Sequence, residues 1–265
     1  MHPETKSDGS KLPSLRILPP WVVFHLPRAG CLLPADYLAW QPFPGTELLE
    51  LARKGADRLA TELFVDPEGL SPNVRGELSR YVFDLDAPAA TNDLSPDFAK
   101  ACVDAHQERL AAAVRKAVDL FGTCLLITAT TFDSADPALG DEAPEICLGA
   151  DPVHTAAETI EAFHASFTQA GFAVGAATPF RDAPVPPLAH GQEPALGAIR
   201  IAVRRREPCP PGAVPESIRK LGQRVRDAIL NALHKPGMER FRTPRRTTTP
   251  STWSVNEAID PFLVD

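Results

Sequence analysis

The sequence predicts an α/β domain in which helices flank a mostly parallel central sheet. Three observations carry that expectation. Short apolar runs recur at strand length, and the central ones are apolar at successive positions, as strands buried on both faces are. Between them lie segments of roughly 15 to 25 residues whose apolar side chains keep a helical period. Proline and glycine sit at the junctions, where they punctuate turns.

Taken in order, residues 21–26 (Trp21-Val22-Val23-Phe24-His25-Leu26) form the first expected strand, ended by Pro27-Arg28-Ala29-Gly30. Residues 47–64 place Leu48, Leu51, Leu59 and Leu63 on one helical stripe. Residues 81–85 (Tyr81-Val82-Phe83-Asp84-Leu85) read as a central parallel strand bounded by Pro88. Ser95-Pro96-Asp97 starts a helix, with serine as N-cap and proline in the first turn. It runs to Leu120 with Phe98, Cys102, Ala105, Leu110, Val114 and Val118 inward. Cys124-Leu125-Leu126-Ile127 is the clearest buried strand, and residues 133–152 read as an irregular acidic loop.

A helix over residues 154–170, with Ile160, Phe163 and Phe167 as its stripe, stops at Gly171. A short strand at 172–176 and a proline-rich loop at 179–194 follow, then a strand over 198–204. The last helix opens at Pro215-Glu216 and ends at Leu233, with Ile218, Leu221, Val225 and Ile229 inward. Residues 1–15 read as a mobile leader, 16–235 as the α/β domain, and 236–265 as a basic tail containing proline and threonine. Phe241, Trp253 and Phe262 are the side chains able to pin that tail to a surface.

The 265 residues include 28 prolines, about twice the usual frequency of roughly 5%, but clustered and without a repeat, which excludes a collagen-like chain. A hydrophobic share of 44% excludes a disordered one. No run approaches the roughly 20 apolar residues of a membrane span, and the first residues lack a secretory h-region. The expected setting is therefore the cytoplasm. A net charge of -7 argues against general nucleic-acid binding, although basic residues dominate from Arg200 to Arg246. The five cysteines, Cys31, Cys102, Cys124, Cys147 and Cys209, are scattered and form no C-x-x-C pair, so they read as buried thiols in a reducing compartment. Neither a P-loop nor a G-x-G-x-x-G fingerprint nor a G-x-S-x-G elbow is present.

The ordered segments resemble those of the N-formylglutamate amidohydrolase family. Val23-Phe24-His25-Leu26-Pro27-Arg28-Ala29-Gly30 is similar to that family's V-I-S-I-P-H-[SA]-G opening, and Ser79-Arg80-Tyr81-Val82-Phe83-Asp84-Leu85 to its S-R-Y-V-I-D-L. Leu125-Leu126-Ile127-Thr128-Ala129-Thr130-Thr131 falls where the family has L-L-I-D-C-H-S, and Pro144-Glu145-Ile146-Cys147-Leu148-Gly149 where it has P-D-I-C-L-G. The resemblance spans roughly residues 20–235. It implies a zinc-exopeptidase-like α/β fold and a metal-dependent hydrolase of N-formyl amino acids. Such chemistry needs a zinc ion held by His and carboxylate groups, an open position for water, and a nearby carboxylate base.

The chain departs from that pattern at its polar positions. Arg28 stands at the first-motif histidine, Thr130 at the second, Thr128 at the aspartate before it, and Arg200 and Ala202 at the late Gln and Glu. A guanidinium stays protonated and cannot ligate a cation. Retained from the pattern are Arg80 and Asp84 on the central motif, Asp57 at an acidic active-site position, and His106 at a helix histidine. Asp57 and His106 are the catalytic candidates, and with His25 the weak metal candidates. Arg28, Arg80, Asp84, Thr130 and Arg200 are the candidate ligand-binding residues, and Asp133, Glu145 and His154 a lesser cluster in the acidic loop. The expectation is a binding or partner protein without metal or cofactor, whose Arg28 and Arg200 fill the old site with salt bridges to Asp57 and Asp84 or bind an anionic small molecule or peptide. The alternative is an amidohydrolase using zinc at a relocated site. A third reading is a subunit that docks on a protein partner through its proline-rich loop and basic tail.

Overall fold

The first strand, β1 (Val22–Leu26), is buried at all five positions, so it has to lie inside a sheet with both faces covered. In the computed structural model, which describes residues 17–34, 45–66, 68–80, 84–85, 96–133, 144–176, 180–192, 194–205 and 214–242, β1 is the second strand of six. The others are β2 (Asn73–Arg75), β3 (Cys124–Asp133), β4 (Ile146–Gly149), β5 (Val174–Gly175) and β6 (Leu196–Arg205). Their order across the sheet is β2-β1-β3-β6-β4-β5. β2, β1, β3 and β6 run parallel, while β4 pairs antiparallel with β6 and parallel with β5.

The sheet separates two cores. Along parallel strands side chains alternate between faces. One face carries Val22, Phe24, Leu26, Leu125, Ile127, Ala129, Ile199, Ile201 and Val203. It packs on helices α2 (Arg58–Phe64), α4 (Ala157–Gln169) and α5 (Glu216–Leu233), which contribute Phe64, Phe163, Phe167, Val225 and Ile229. Burying each such side chain is worth about 1.5–3 kcal/mol. The opposite face, with Val23, Leu126, Leu196 and Ala198, is covered by α3 (Pro96–Phe121) and by a short 3₁₀ turn at Pro187–Ala189. The helix α1 (Gly45–Gly55) precedes α2. Where α2 meets α5, a Cβ on Gly222 would stand 2.7 Å from the Glu62 carbonyl oxygen, so the close approach requires glycine there. Arg226 of α5 reaches over to donate to the carbonyls of Glu62 and Leu63 at the end of α2.

Several expectations are corrected. The helix predicted over 47–64 is two helices, because Asp57 turns the chain and caps the second one, its Oδ1 accepting the Ala60 N–H at 3.1 Å. The strand predicted over 81–85 is not found at its described residues, Asp84 and Leu85. The strand beside β1 is the short β2, after Pro72, where only Val74 is buried, as suits an edge. The acidic loop contains β4, fully buried but only four residues long, too short for its period to show. On α3, Phe98 and Ala105 are exposed and the buried stripe begins at His106, followed by Leu110, Val114 and Ala117.

The core also continues past residue 235. Met238 and Phe241 are fully buried, Phe241 on the short helix α6 (Glu239–Arg242), and the Phe241 ring fills the space above Gly197. Cys124 and Cys147 are buried thiols as expected, whereas Cys31 is exposed and Cys102 half-buried. The leader at 1–15, Cys209, Trp253 and Phe262 lie outside the described residues.

Candidate functional site

Register brings three polar side chains into one row. His25 on β1 pairs with Thr128 on β3, Thr128 with Arg200 on β6, and Arg200 with Gly149 on β4. By alternation all three side chains rise on the α3 face, His25 near the carboxyl end of β1 and Thr128 and Arg200 in the middle of β3 and β6. They are buried, at 5%, 1% and 5% exposure, amid otherwise apolar strands. His25 Nδ1 lies 3.2 Å from Thr128 Oγ1, and His25 Nε2 lies 2.9 Å from His106 Nε2 on α3. Burial first, then the neighbouring His106 and the Arg200 charge, hold His25 well below the usual imidazole value. Burial likewise lowers His106 to about 4, so both rings are neutral at pH 7. Two residues along β3, Thr130 is completely buried on the same face, and its Oγ1 has no hydrogen-bond partner among the described residues.

The remaining candidates are placed elsewhere. Arg28, in the turn after β1, holds Asp84 through Nε at 3.1 and 3.2 Å and through Nη2 at 2.8 Å, a forked ion pair. The Arg28 guanidinium is thus engaged in a salt bridge. Arg80 is half-buried in the loop that follows β2. Asp57 belongs to the other face of the sheet. Its Oδ2 accepts the Thr131 N–H at 2.5 Å and its Oδ1 accepts the Thr131 hydroxyl at 2.6 Å, tying the start of α2 to the end of β3. Burial raises its pKa, against the pull of those hydrogen bonds. Asp57 and His106 therefore do not converge: the sheet stands between them.

The lesser cluster does not form either. Asp133 is exposed and 4.0 Å from Arg205, Glu145 accepts the Ala173 N–H, and His154 is held by Asp151 at 2.7 Å. Among the described residues no group of three or more His, Cys, Asp or Glu side chains is placed to hold a metal ion. Arginine, threonine and alanine at the positions where the resemblance calls for metal ligands do not fit a zinc ion. Sequence reading missed the role of Thr131; of its weak candidate group Asp57, His106 and His25, the two histidines meet and Asp57 does not join them. The available signal was a histidine inside an apolar strand and another on the stripe of α3.

The fold and the row together define a three-layer α/β protein with a buried imidazole–threonine–guanidinium array across its central strands. Among solved structures, the chain is similar to the N-formylglutamate amidohydrolase from Ralstonia eutropha JMP134, at 15% identity over 85% of this chain and 95% of that one, with a TM-score of 0.59. It also matches a gene product of Agrobacterium tumefaciens at 18% identity, over 83% of this chain and 90% of that one, with a TM-score of 0.48. No family model matches the chain, and no curated protein does. At such identities the likeness shows the fold. No helix among the described residues is long and apolar enough to cross a membrane.

Proposed function

We propose that this chain is a binding protein built on the amidohydrolase fold, without metal-dependent hydrolysis, and that it takes a small anion such as a carboxylate beside Arg200 and Thr130. The observation that supports this most is the Thr130 hydroxyl, wholly buried and without a partner among the described residues, on the same face as a buried guanidinium. A buried hydroxyl left unbonded costs about 1–3 kcal/mol, so such a group marks a place where an acceptor belongs. Arginine adds the charge and the planar fork that recognise a carboxylate. The Arg28–Asp84 pair supports the same reading, since it occupies with a structural contact a position that a hydrolase would need for its metal.

Titration calorimetry with formate and acetate, together with metal analysis of the purified protein, tests it. Saturable carboxylate binding is expected without added metal. It should weaken roughly tenfold to a hundredfold in Thr130→Val, the range for losing a hydrogen bond to a charged group. Stoichiometric zinc together with chelator-sensitive hydrolysis of an N-formyl amino acid would overturn the proposal in favour of the enzyme alternative.

A further inference from the structure

Across the sheet from Thr130, the described residues line a cavity of about 180 Å³ where α2, α5 and the end of β6 come together. Its wall is largely apolar: Leu59 of α2, Phe172 ahead of β5, Val203 of β6, and Ile218 and Leu221 of α5. All but Leu221 are buried in the main core, so the hollow is set into packed structure. Apolar side chains around a void lose contact partners, and water finds few polar partners there. An apolar cavity of about 150 Å³ takes up benzene, so this volume fits a single ring with a short arm. The exposed residues of the wall, Ser217 and Arg224, both belong to α5.

Arg224 is held in place at that margin. Its guanidinium lies 4.4 Å from the centroid of the Phe172 ring, and its Nη2 donates to the Ala170 carbonyl at 2.9 Å. The carbonyl takes one of five N–H donors, and no carboxylate among the described residues pairs with Arg224. Other charges nearby do not cancel it. Glu145 and Arg204 add one charge of each sign to the wall, and Glu145 Oε2 accepts the Ala173 N–H at 3.0 Å. On the first turns of α5, Arg219 and Lys220 share the single carboxylate of Glu216. A net positive margin beside an apolar hollow is complementary to an apolar body that carries one negative charge.

From this geometry we infer a second binding site, for a small monocyclic carboxylate. The ring occupies the hollow against Leu59, Phe172 and Ile218, and the carboxylate accepts from the open N–H groups of Arg224. The site is distinct from the anion position at Thr130 and does not depend on that reading. Either can fail alone.

Phenylacetate, phenylacetamide and acetate are the probes, titrated into the full-length protein by calorimetry and methyl ¹H–¹³C spectra. Running wild type beside Thr130→Val keeps the two sites apart. Phenylacetate binding is expected to be saturable in both proteins and to shift the Ile218 and Leu221 methyl resonances through its ring current. Phenylacetamide has the same shape without the charge, and it should bind roughly fivefold to tenfold more weakly. Arg224→Gln, at an exposed side chain, should weaken phenylacetate by the same factor. That range lies between a solvated ion pair and a charge-assisted hydrogen bond. Acetate, which lacks the ring, should leave both methyl resonances in place. Leu221→Trp should fill the hollow and displace phenylacetate while formate binding persists. Equal binding of acid and amide, unshifted methyl resonances, or undiminished binding in Arg224→Gln would each overturn the inference. Failure of formate to bind the wild type would overturn the Thr130 reading alone.

Discussion

The two faces of the sheet are built from the same strands and do opposite things. On the face under α2, α4 and α5 the buried sheet side chains from Val22 to Val203 are aliphatic or aromatic apart from Thr131 near the end of β3. The Asp57 carboxylate that reaches it has both oxygens satisfied by Thr131 and Ala60. On the face under α3 the same strands carry His25, Thr128, Thr130 and Arg200, and buried polar atoms including His106 Nδ1, Gln107 Oε1 and Thr130 Oγ1 lack a partner among the described residues. On the first face the carboxylate is spent on the fold, although the Ser166 hydroxyl of α4 is buried without a partner among the described residues. The other keeps unused hydrogen-bonding capacity that costs stability, the usual mark of a site.

Breaking the first face gives the largest effect. Phe163→Ala removes a fully buried ring between α4 and the sheet and should cost about 3–5 kcal/mol in denaturant unfolding. Should the variant lose under 1 kcal/mol, that face would not be the packed core described.

Acid acts on the second face. His106 is lowered to about 4 in the fold, against about 6.5 unfolded, so the unfolded chain takes up its proton first. Its contribution is complete above pH 6.5 and is lost as pH falls toward 4, on the order of 3 kcal/mol across that window. Buried His25 shifts in the same direction. Asp57, raised in the fold, works oppositely and at lower pH, favouring the folded state as it protonates. Comparing wild type with His106→Gln at pH 7 and pH 4.5 isolates the imidazole contribution, and the variant should show the flatter profile.

The smallest effect is the most discriminating. Because the Thr130 hydroxyl has no partner among the described residues, the isosteric Thr130→Val should leave stability unchanged or raise it by up to about 1 kcal/mol, even as it weakens carboxylate binding. A marked destabilisation would show that the hydroxyl is spent on the fold after all.

How much of this was legible in the sequence follows the same division. β3, α3, α4 and α5 were readable because long apolar periods belong to single elements and need no knowledge of neighbours. The break at Asp57 was not, since it arises where a capping side chain competes with a continuing apolar stripe. β4 was hidden by its length. At the site, salt bridges from Arg28 and Arg200 to Asp57 and Asp84 were expected, and Arg28 does pair with Asp84, 56 residues away, whereas Asp57 is taken by Thr131 and Ala60. His25 and His106 were set apart as weak candidates because only the β1–β3 register and the docking of α3 reveal that they touch. Sequence periodicity reports which face a residue takes on its own element. It is silent on which row of the sheet it joins.

The burial of Phe241 has a consequence for how the molecule comes into being. The Trp21 indole N–H donates to the Phe241 carbonyl at 2.5 Å, joining segments 220 residues apart. β1 pairs with β3 and β3 with β6, so the central sheet is likewise assembled from distant parts of the chain. Contacts of that span make folding slow. On the ribosome, at roughly 5–20 residues per second, β1 and β3 wait with an apolar flank uncovered until β6, α5 and α6 have emerged. The nascent chain therefore needs protection from the emergence of β3 until residue 242 has followed, and truncation before residue 242 leaves that exposure permanent.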